Sequence, residues 1–399
     1  MSRKHLSIAT SKSAALAGLW SAQRFAAECL IVLSLALGGC VADAGDPRSG
    51  DEHLGEVEQH LCAGAQPKAA GYVWNDRAAA PIGVPYTPSL TYQHNSSGGT
   101  NTITRNGTGS YVVTLPGLGG GGSVGGIVQV TAYGSGPESC KVSNWHPTPS
   151  DIAVTVLCFD ASGVPTNTLY DVSFSTYPTE VVNHGYVWVD DPFSPSSVPS
   201  TFYQFNSTCN TNTISRAGVG KYTVKFPGLA ALPGDPQPGG TVKVTAYGTG
   251  SEICKVESWT AVGPDEFVDV RCFTALGAAA DTLYTVTYTR GNNLFGQAAG
   301  KRAYLRVDSP SAPISDQFNS AGATNTVTHG ANPGSYTVKL PGLASPGGHV
   351  EVSGAGLGSG RCKVTGWFPS GADEFVGVQC YTQTTALTDS QFTLSFYQP

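Results

Sequence analysis

The chain has 399 residues, among them 50 glycines, 26 prolines and a single methionine, and only 13% of its residues are charged. This composition indicates several domains rich in strands and turns and excludes a helical bundle. The formal net charge is −6 and no run of five basic residues occurs. Nucleic acid is therefore not expected as a partner, because affinity for its backbone depends on clustered Lys and Arg.

The N-terminus has the order of a secretory signal peptide, which we place at residues 1–39. The apolar run Leu30–Leu37 is too short to span a bilayer and is typical of a signal-peptide core. The basic residues that precede this run are Arg3, Lys4, Lys12 and Arg24.

Leu37-Gly-Gly-Cys40 resembles the lipobox of bacterial lipoproteins. The resemblance implies that the signal is cleaved before Cys40, which then carries a lipid and anchors the chain to the membrane. The alternative is cleavage at Ala42-Asp-Ala44, an A-x-A site that would release an extracellular soluble protein. Residues 40–70 contain little apolar content and no periodicity, so we predict that they form a disordered tether.

Three repeats follow, which we assign to 71–178, 185–290 and 301–399 with linkers at 178–184 and 291–300. Each contains about seven short segments with period-2 alternation, separated by turn residues, as in an antiparallel β-sandwich or barrel. A repeat of about 105 residues is large enough to bury its own core, so three tandem all-β domains are predicted.

Each repeat contains a cysteine hairpin, the motif that occurs most regularly. The two cysteines lie 18 positions apart and a turn residue lies at the midpoint, so in a hairpin they face each other at a distance that a disulfide accepts. Three such bonds are typical of an exported protein. The predicted pairs are Cys140 with Cys158, Cys254 with Cys272, and Cys362 with Cys380.

The same geometry sorts the faces of the hairpin, because alternate residues point to opposite sides. Trp259 is predicted opposite Phe267 on the outer, wet face, together with Lys255, and Trp367 with Phe375 repeats the aromatic pair. We interpret these aromatics as a candidate binding platform for a sugar ring or a partner protein. The alternative is that the tryptophans are covered by a neighbouring loop or domain and only fill space.

Two further cysteines break the repeat pattern. Cys209 stands in a turn where the other repeats have Gly98 and Gly322, and Cys62 lies in the predicted tether. They are predicted either to pair, which would tie the tether to the second repeat, or to remain free or intermolecular thiols.

No catalytic or metal-binding constellation is apparent. None of the eight histidines takes the same place in all three repeats, so no triad can be proposed. Asp151, Asp265 and Asp373 recur at the hairpin turns; calcium would use such side chains, but capping of the turn explains them equally well. We assign no metal and no cofactor.

As a whole, the repeat resembles the uncharacterised, Cys-containing β repeats of exported proteins from GC-rich bacteria. The resemblance covers residues 71 to 399 and implies location and fold, not activity. It rests on motifs such as Gly71-Tyr-Val-Trp74, Phe226-Pro-Gly-Leu229 and Val242-Lys-Val-Thr-Ala-Tyr-Gly248. We therefore expect a non-enzymatic binding or structural protein of the cell envelope, with cell-wall glycan or a surface protein as partner. The alternative is a secreted hydrolase, or an accessory module of one, with its site between domains.

Overall fold

A computed structural model describes residues 69–119, 125–176, 182–231, 235, 239–308 and 314–399. The predicted signal peptide and tether, with Cys40 and Cys62, lie outside these residues. Within them the regular structure consists of strands and two single 3-10 turns, Leu90–Tyr92 and Thr201–Tyr203, which confirms the all-β prediction. No helix in the described segments is long and apolar enough to cross a membrane.

The first repeat is a sandwich of two antiparallel sheets with the strand orders β3-β1-β9-β6 and β2-β4-β5-β8-β7. Its strands are β1 (Ala70–Asn75), β2 (Pro85–Tyr86), β3 (Gln93–Asn95), β4 (Thr102–Gly107), β5 (Ser110–Leu115), β6 (Ile127–Tyr133), β7 (Ser139–Pro147), β8 (Ile152–Phe159) and β9 (Leu169–Ser175).

The second repeat has the same two sheets, ordered β12-β10-β18-β15 and β11-β13-β14-β17-β16. Its strands are β10 (His184–Val189), β11 (Ser196–Ser197), β12 (Gln204–Asn206), β13 (Thr213–Gly218), β14 (Lys221–Phe226), β15 (Thr241–Ala246), β16 (Ile253–Val262), β17 (Asp265–Phe273) and β18 (Tyr284–Thr289).

The third repeat orders its strands as β20-β19-β26-β23 and β21-β22-β25-β24, and a parallel pairing of Val364 with Tyr133 joins β24 to β6 of the first repeat in one eight-stranded sheet. The strands are β19 (Lys301–Val307), β20 (Gln317–Asn319), β21 (Thr326–His329), β22 (Ser335–Leu340), β23 (His349–Ala355), β24 (Arg361–Ser370), β25 (Asp373–Tyr381) and β26 (Gln391–Gln398). Each repeat buries an apolar core of its own between its two sheets. Of the two predicted architectures, the sandwich is thus the one observed.

Strand burial shows where the repeats meet. A strand such as β5 alternates between buried and partly exposed residues, as expected for a sheet with one face in water. By contrast, the corresponding strands β6, β15 and β23 are buried along almost their whole length on both faces. One face of each covers its own core, and the other packs against the matching strands of the other two repeats.

These three strands form a closed ring around a pseudo-threefold axis. A hydroxyl of each repeat accepts a backbone N–H from a neighbour, and the pattern runs round the ring. The bonds join Thr245 Oγ1 to Val130 N (3.0 Å), Ser353 Oγ to Val244 N (3.1 Å) and Thr131 Oγ1 to Val352 N (3.1 Å). Buried N–H groups require such partners, so the hydroxyls hold the three sandwiches together in one compact unit.

The segment between the second and third repeats also packs into this assembly. Leu294 and Phe295 are buried against Ala70, Tyr72 and Tyr397, which belong to the first and third repeats. The predicted linker at 291–300 therefore contributes to the interface between repeats.

Candidate functional site

The cysteine hairpins form the three predicted disulfides. The bonded cysteines are directly opposed in the strand register. The paired Cα atoms lie 4.1, 4.1 and 4.0 Å apart in Cys140–Cys158, Cys254–Cys272 and Cys362–Cys380.

Cys209 is also disulfide-bonded. Its predicted partner, Cys62, lies outside the described residues. Cys209 has φ 68°, close to the φ of 81° and 74° at Gly98 and Gly322. It therefore occupies the same left-handed turn position as the glycines of the other repeats.

The predicted aromatic platform is wrong for both tryptophans. A β-bulge between Val256 and Ser258 shifts the register of β16, so that Trp259 lies opposite Val268 and not Phe267. One extra residue on one strand sends every later side chain to the other face. Trp259 is consequently only 7% exposed, and its Nε1 donates a hydrogen bond to Gly239 O at 2.8 Å.

The same bulge occurs in the other two hairpins, where Trp145 and Trp367 are opposed to Val154 and Val376. Both indoles are buried. The alternative interpretation, that a neighbouring part of the chain covers these tryptophans, is the correct one.

Phe267 and Phe375 remain on the outer face, but with different neighbours. Phe375 stacks on Phe368, with ring centroids 5.9 Å apart and planes inclined by 16°. A lysine lies over each ring, Lys225 over Phe267 at 5.7 Å and Lys339 over Phe375 at 5.9 Å. The wet aromatic face of the hairpin is thus one residue out of the predicted register.

Each buried hairpin tryptophan seals a junction with the next repeat. At the 3–1 junction, Trp367 packs edge-to-face on Trp74, Tyr92 and Tyr133 of the first repeat, with centroid distances of 6.2, 5.3 and 5.6 Å. These four side chains line a recess of about 70 Å³. Three of the four rings are partly exposed, and Trp74 Nε1 has no hydrogen-bond partner in the described chain.

The 1–2 junction repeats this arrangement. Trp145 packs on Trp188, Tyr203 and Tyr247, with centroids 5.8, 5.3 and 5.5 Å apart. The Nε1 of Trp188 is likewise buried with no hydrogen-bond partner among the described residues.

The 2–3 junction differs from the other two. Arg306 stands at the position of Trp74 and Trp188, and its guanidinium lies 4.4 Å from the ring centroid of Trp259. Ala355 replaces the tyrosine and packs against the second core. Asp316 stands where the other two junctions have Tyr92 and Tyr203, so a cation on the tryptophan face substitutes here for three aromatic rings.

A second cavity lies on the pseudo-threefold axis, where the cysteine ends of the three hairpins meet the ends of β6, β15 and β23. It encloses about 70 Å³. Lys141, in its lining, and Lys363, next to the lining residue Cys362, pair with glutamates of a neighbouring repeat: Lys141 Nζ lies 3.1 Å from Glu252, and Lys363 Nζ lies 2.8 Å from Glu138. The glutamate side chains are 31% and 27% exposed, so they stand at the mouth of the cavity.

The third pair of this set is incomplete. Lys255 is the counterpart of Lys141 and Lys363, but the third repeat has Gly360 where the others have glutamate. Lys255 is 4% exposed, contrary to its predicted place on the wet face, and nothing in the described segments accepts a hydrogen bond from its Nζ. Burial and the nearby Arg271 lower the pKa of Lys255 to about 8.

Arg361 adds a second unpaired cation to the cavity. It is 7% exposed, and all three guanidinium nitrogens lack a hydrogen-bond partner among the described residues. Burial lowers its pKa. The lining therefore carries Lys141, Lys255 and Arg361 against Glu138 and Glu252, an excess of positive charge in an acidic chain.

A buried polar cluster lies between the first and third repeats. His349 contacts Glu351 at 2.9 Å and Asp171 at 3.4 Å, and Ser173 Oγ donates to Glu351. Burial alone would lower the pKa of His349, but the two carboxylates raise it. All four side chains are buried, so this His–carboxylate–Ser group offers no access to a substrate.

A second His–carboxylate pair, His329 with Asp389, has a counterpart in the second repeat. Asp389 accepts a hydrogen bond from Gly334 N at 2.6 Å and lies 2.7 Å from His329 Nε2. At the same place in the second repeat, Asp281 binds Arg216 and a backbone N–H. His329 thus takes the place of an arginine that ties β-strand and loop together.

The turn aspartates are also accounted for by backbone contacts. Their Oδ1 atoms accept the N–H of the glycine in the Pro-Gly-Leu loop, so they bind a separate loop and not the backbone of their own turn. The pairs are Asp151 with Gly117 (3.0 Å), Asp265 with Gly228 (2.9 Å) and Asp373 with Gly342 (3.0 Å). No group of three or more metal-ligating side chains occurs in the described ranges.

Sequence reasoning missed the axial cavity, although the repeats contain its signal. Aligned on the cysteines, Glu138 and Glu252 correspond to Gly360, and Ser139 and Ile253 to Arg361. This is the point at which the third copy changes charge. No family model matches this chain, and neither the curated proteins nor the solved structures include one that is significantly similar to it.

Proposed function

We propose that this chain is an exported, non-enzymatic protein of the cell envelope that binds sugar rings of a cell-wall glycan at its aromatic junctions. The recess lined by Trp74, Tyr92, Tyr133 and Trp367 is the observation that carries this proposal. Aromatic rings offer flat apolar surfaces to the C–H faces of a sugar, and the indole N–H is a donor for a hydroxyl. Trp74 Nε1 is buried beside the recess and has no hydrogen-bond partner among the described residues.

Two features support binding over hydrolysis. The His–carboxylate–Ser cluster around His349 is enclosed between repeats, and the His329–Asp389 pair occupies the place of a structural salt bridge. General acid–base catalysis needs a titratable group within reach of the substrate. A hydrolase with its site between repeats remains the alternative proposal, and hydrolysis of the bound glycan would favour it.

Binding is tested by removing one ring from each of the two aromatic junctions without emptying the core. Tyr92 and Tyr203 are partly exposed members of the 3–1 and 1–2 junctions. In the double variant Tyr92→Ala, Tyr203→Ala each junction is expected to lose roughly fivefold in affinity for purified cell-wall glycan, because each ring contributes about 1 kcal/mol of contact. Retention on immobilised glycan and quenching of tryptophan fluorescence measure this.

Phe368→Ala is the matched control, since Phe368 is an exposed aromatic outside both aromatic junctions. It should bind as the parent protein does. If the parent itself is not retained by glycan, or if the double variant binds equally well, the proposal fails.

We further propose that the chain is exported through the signal at residues 1–39 and anchored by a lipid on Cys40, with release after Ala44 as the alternative. Three disulfides support an oxidising compartment. Labelling with a lipid precursor should require Cys40. Unchanged labelling and membrane fractionation of Cys40→Ser would contradict the anchor.

A further inference from the structure

The axial cavity is built on a repeating ion pair that one repeat lacks. Lys141 and Lys363 each bind a glutamate of the next repeat at 3.1 and 2.8 Å, and Lys255 has the same place in the ring without a glutamate. A buried ammonium without a partner costs far more than a solvated one. The glutamate is replaced in one repeat only, by Gly360, at a position that faces the cavity. This points to a ligand in its place.

The chemistry of that ligand follows from the two complete pairs. In both, the group that meets the lysine is a carboxylate. We infer that the axial cavity binds a carboxylate, which pairs with Lys255 as Glu252 and Glu138 pair with Lys141 and Lys363. Arg361, in the same lining, adds a second cation to the field around the carboxylate.

The cavity has the space and the entrance for such a group. It encloses about 70 Å³, several times what a single water needs, and its two glutamates are about one-third exposed. The excess positive charge of the lining favours an anion, because charge inside a cleft with protein walls acts through a lower dielectric than water. Glu257 does not meet this need, since Arg271 holds it at 2.6 and 2.7 Å.

This inference is independent of glycan binding at the aromatic junctions, and its test uses other residues. The oxidised full chain is titrated with acetate and succinate at constant ionic strength, with chloride as the reference salt, and binding is followed by calorimetry and by the melting temperature. A saturable rise in melting temperature is expected, because a ligand that binds only the folded state stabilises it.

Two substitutions test the assigned partner from opposite sides. Lys255→Met removes the ammonium but keeps the stem, and it should weaken carboxylate binding roughly tenfold or more, the loss expected for a charged hydrogen bond. Gly360→Glu supplies the missing carboxylate from the chain itself and should abolish binding by occupying Lys255. An added Cβ at Gly360 lies 3.3 Å from Tyr381 O, which a small shift relieves.

Matched controls separate charge from shape and from folding. Gly360→Gln has the size of the glutamate without its charge and should retain more carboxylate binding than Gly360→Glu. Lys363→Met breaks a complete pair and leaves Glu138 without its lysine, so it should lower the melting temperature, whereas Lys255→Met should leave it unchanged or raise it.

The source of the carboxylate is distinguished by parallel titrations with acetate, a short glutamate-containing peptide and glucuronate. The strongest binder of the three identifies a small acid, a protein side chain or an acidic sugar as the ligand type. The inference is overturned if no carboxylate gives a saturable response, if sulfate or phosphate binds more tightly than every carboxylate, or if Gly360→Glu binds as the parent does.

Discussion

At the residue scale, the three repeats serve as internal controls for one another. Glu266 and Glu374 are buried at the start of the second hairpin strand, where the first repeat has Ile152. The position is apolar in one repeat and a carboxyl in two. Burial raises the pKa of Glu266 to about 8 and that of Glu374 to about 7, so near neutral pH Glu266 is held largely protonated and Glu374 about half protonated.

This makes stability depend on pH in a defined direction. A carboxyl whose folded pKa lies above its unfolded value of 4.5 binds more protons in the folded state, so the free energy of unfolding falls as pH rises from about 4.5 to about 8. Glu266→Gln and Glu374→Gln should remove this slope. Each is expected to stabilise the protein by on the order of 2 kcal/mol at pH 8.5 and hardly at all at pH 4.5.

Denaturant unfolding of parent and variants at a series of pH values measures the effect. Equal slopes of unfolding free energy against pH in the parent and in the double variant would show that the two carboxyls titrate as they do in the unfolded chain.

At the scale of the element, the cysteine hairpin shows what the sequence predicts and where prediction stops. The register in which the two cysteines face each other placed Cys254 opposite Cys272 correctly, and it holds from the disulfide as far as Val256. The same register failed at Trp259. A bulge at Glu257 adds one residue to one strand only, so the cysteine register and the tryptophan register differ.

The alternation of polar and apolar residues in the sequence gives no sign of the bulge. What it achieves is visible only with the neighbouring repeats in place: it turns the indole inward, onto Gly239 O and Arg306, and leaves Phe267 outside. Likewise, alternation assigns Lys255 to the outer face of its hairpin, but in the assembled ring that face points toward the pseudo-threefold axis. Burial between repeats depends on contacts that no single repeat encodes.

At the scale of the whole molecule, the ring makes the repeats depend on one another. Strands β6, β15 and β23 would expose buried polar and apolar groups if any one repeat left the ring, and the hydroxyl-to-amide bonds run in a cycle. We expect the oxidised protein to unfold in a single calorimetric transition, with equal calorimetric and van't Hoff enthalpies.

A junction variant tests this coupling. Trp145→Ala empties a buried site between the first and second repeats and should cost about 3–5 kcal/mol. The whole transition should move to lower temperature as one. Separate transitions for the individual repeats, in the parent or the variant, would contradict the coupled ring.

The pseudo-threefold axis has a consequence for stoichiometry. In a homotrimer, symmetry presents every axial residue three times, so removal of one glutamate would remove all three and leave a site that repels its own lysines. A ring made within one polypeptide escapes that constraint. Gly360 breaks one pair while Lys141–Glu252 and Lys363–Glu138 keep the other two closed. Three repeats in one polypeptide can therefore carry a single unpaired lysine, Lys255, whereas a symmetric trimer would carry three or none.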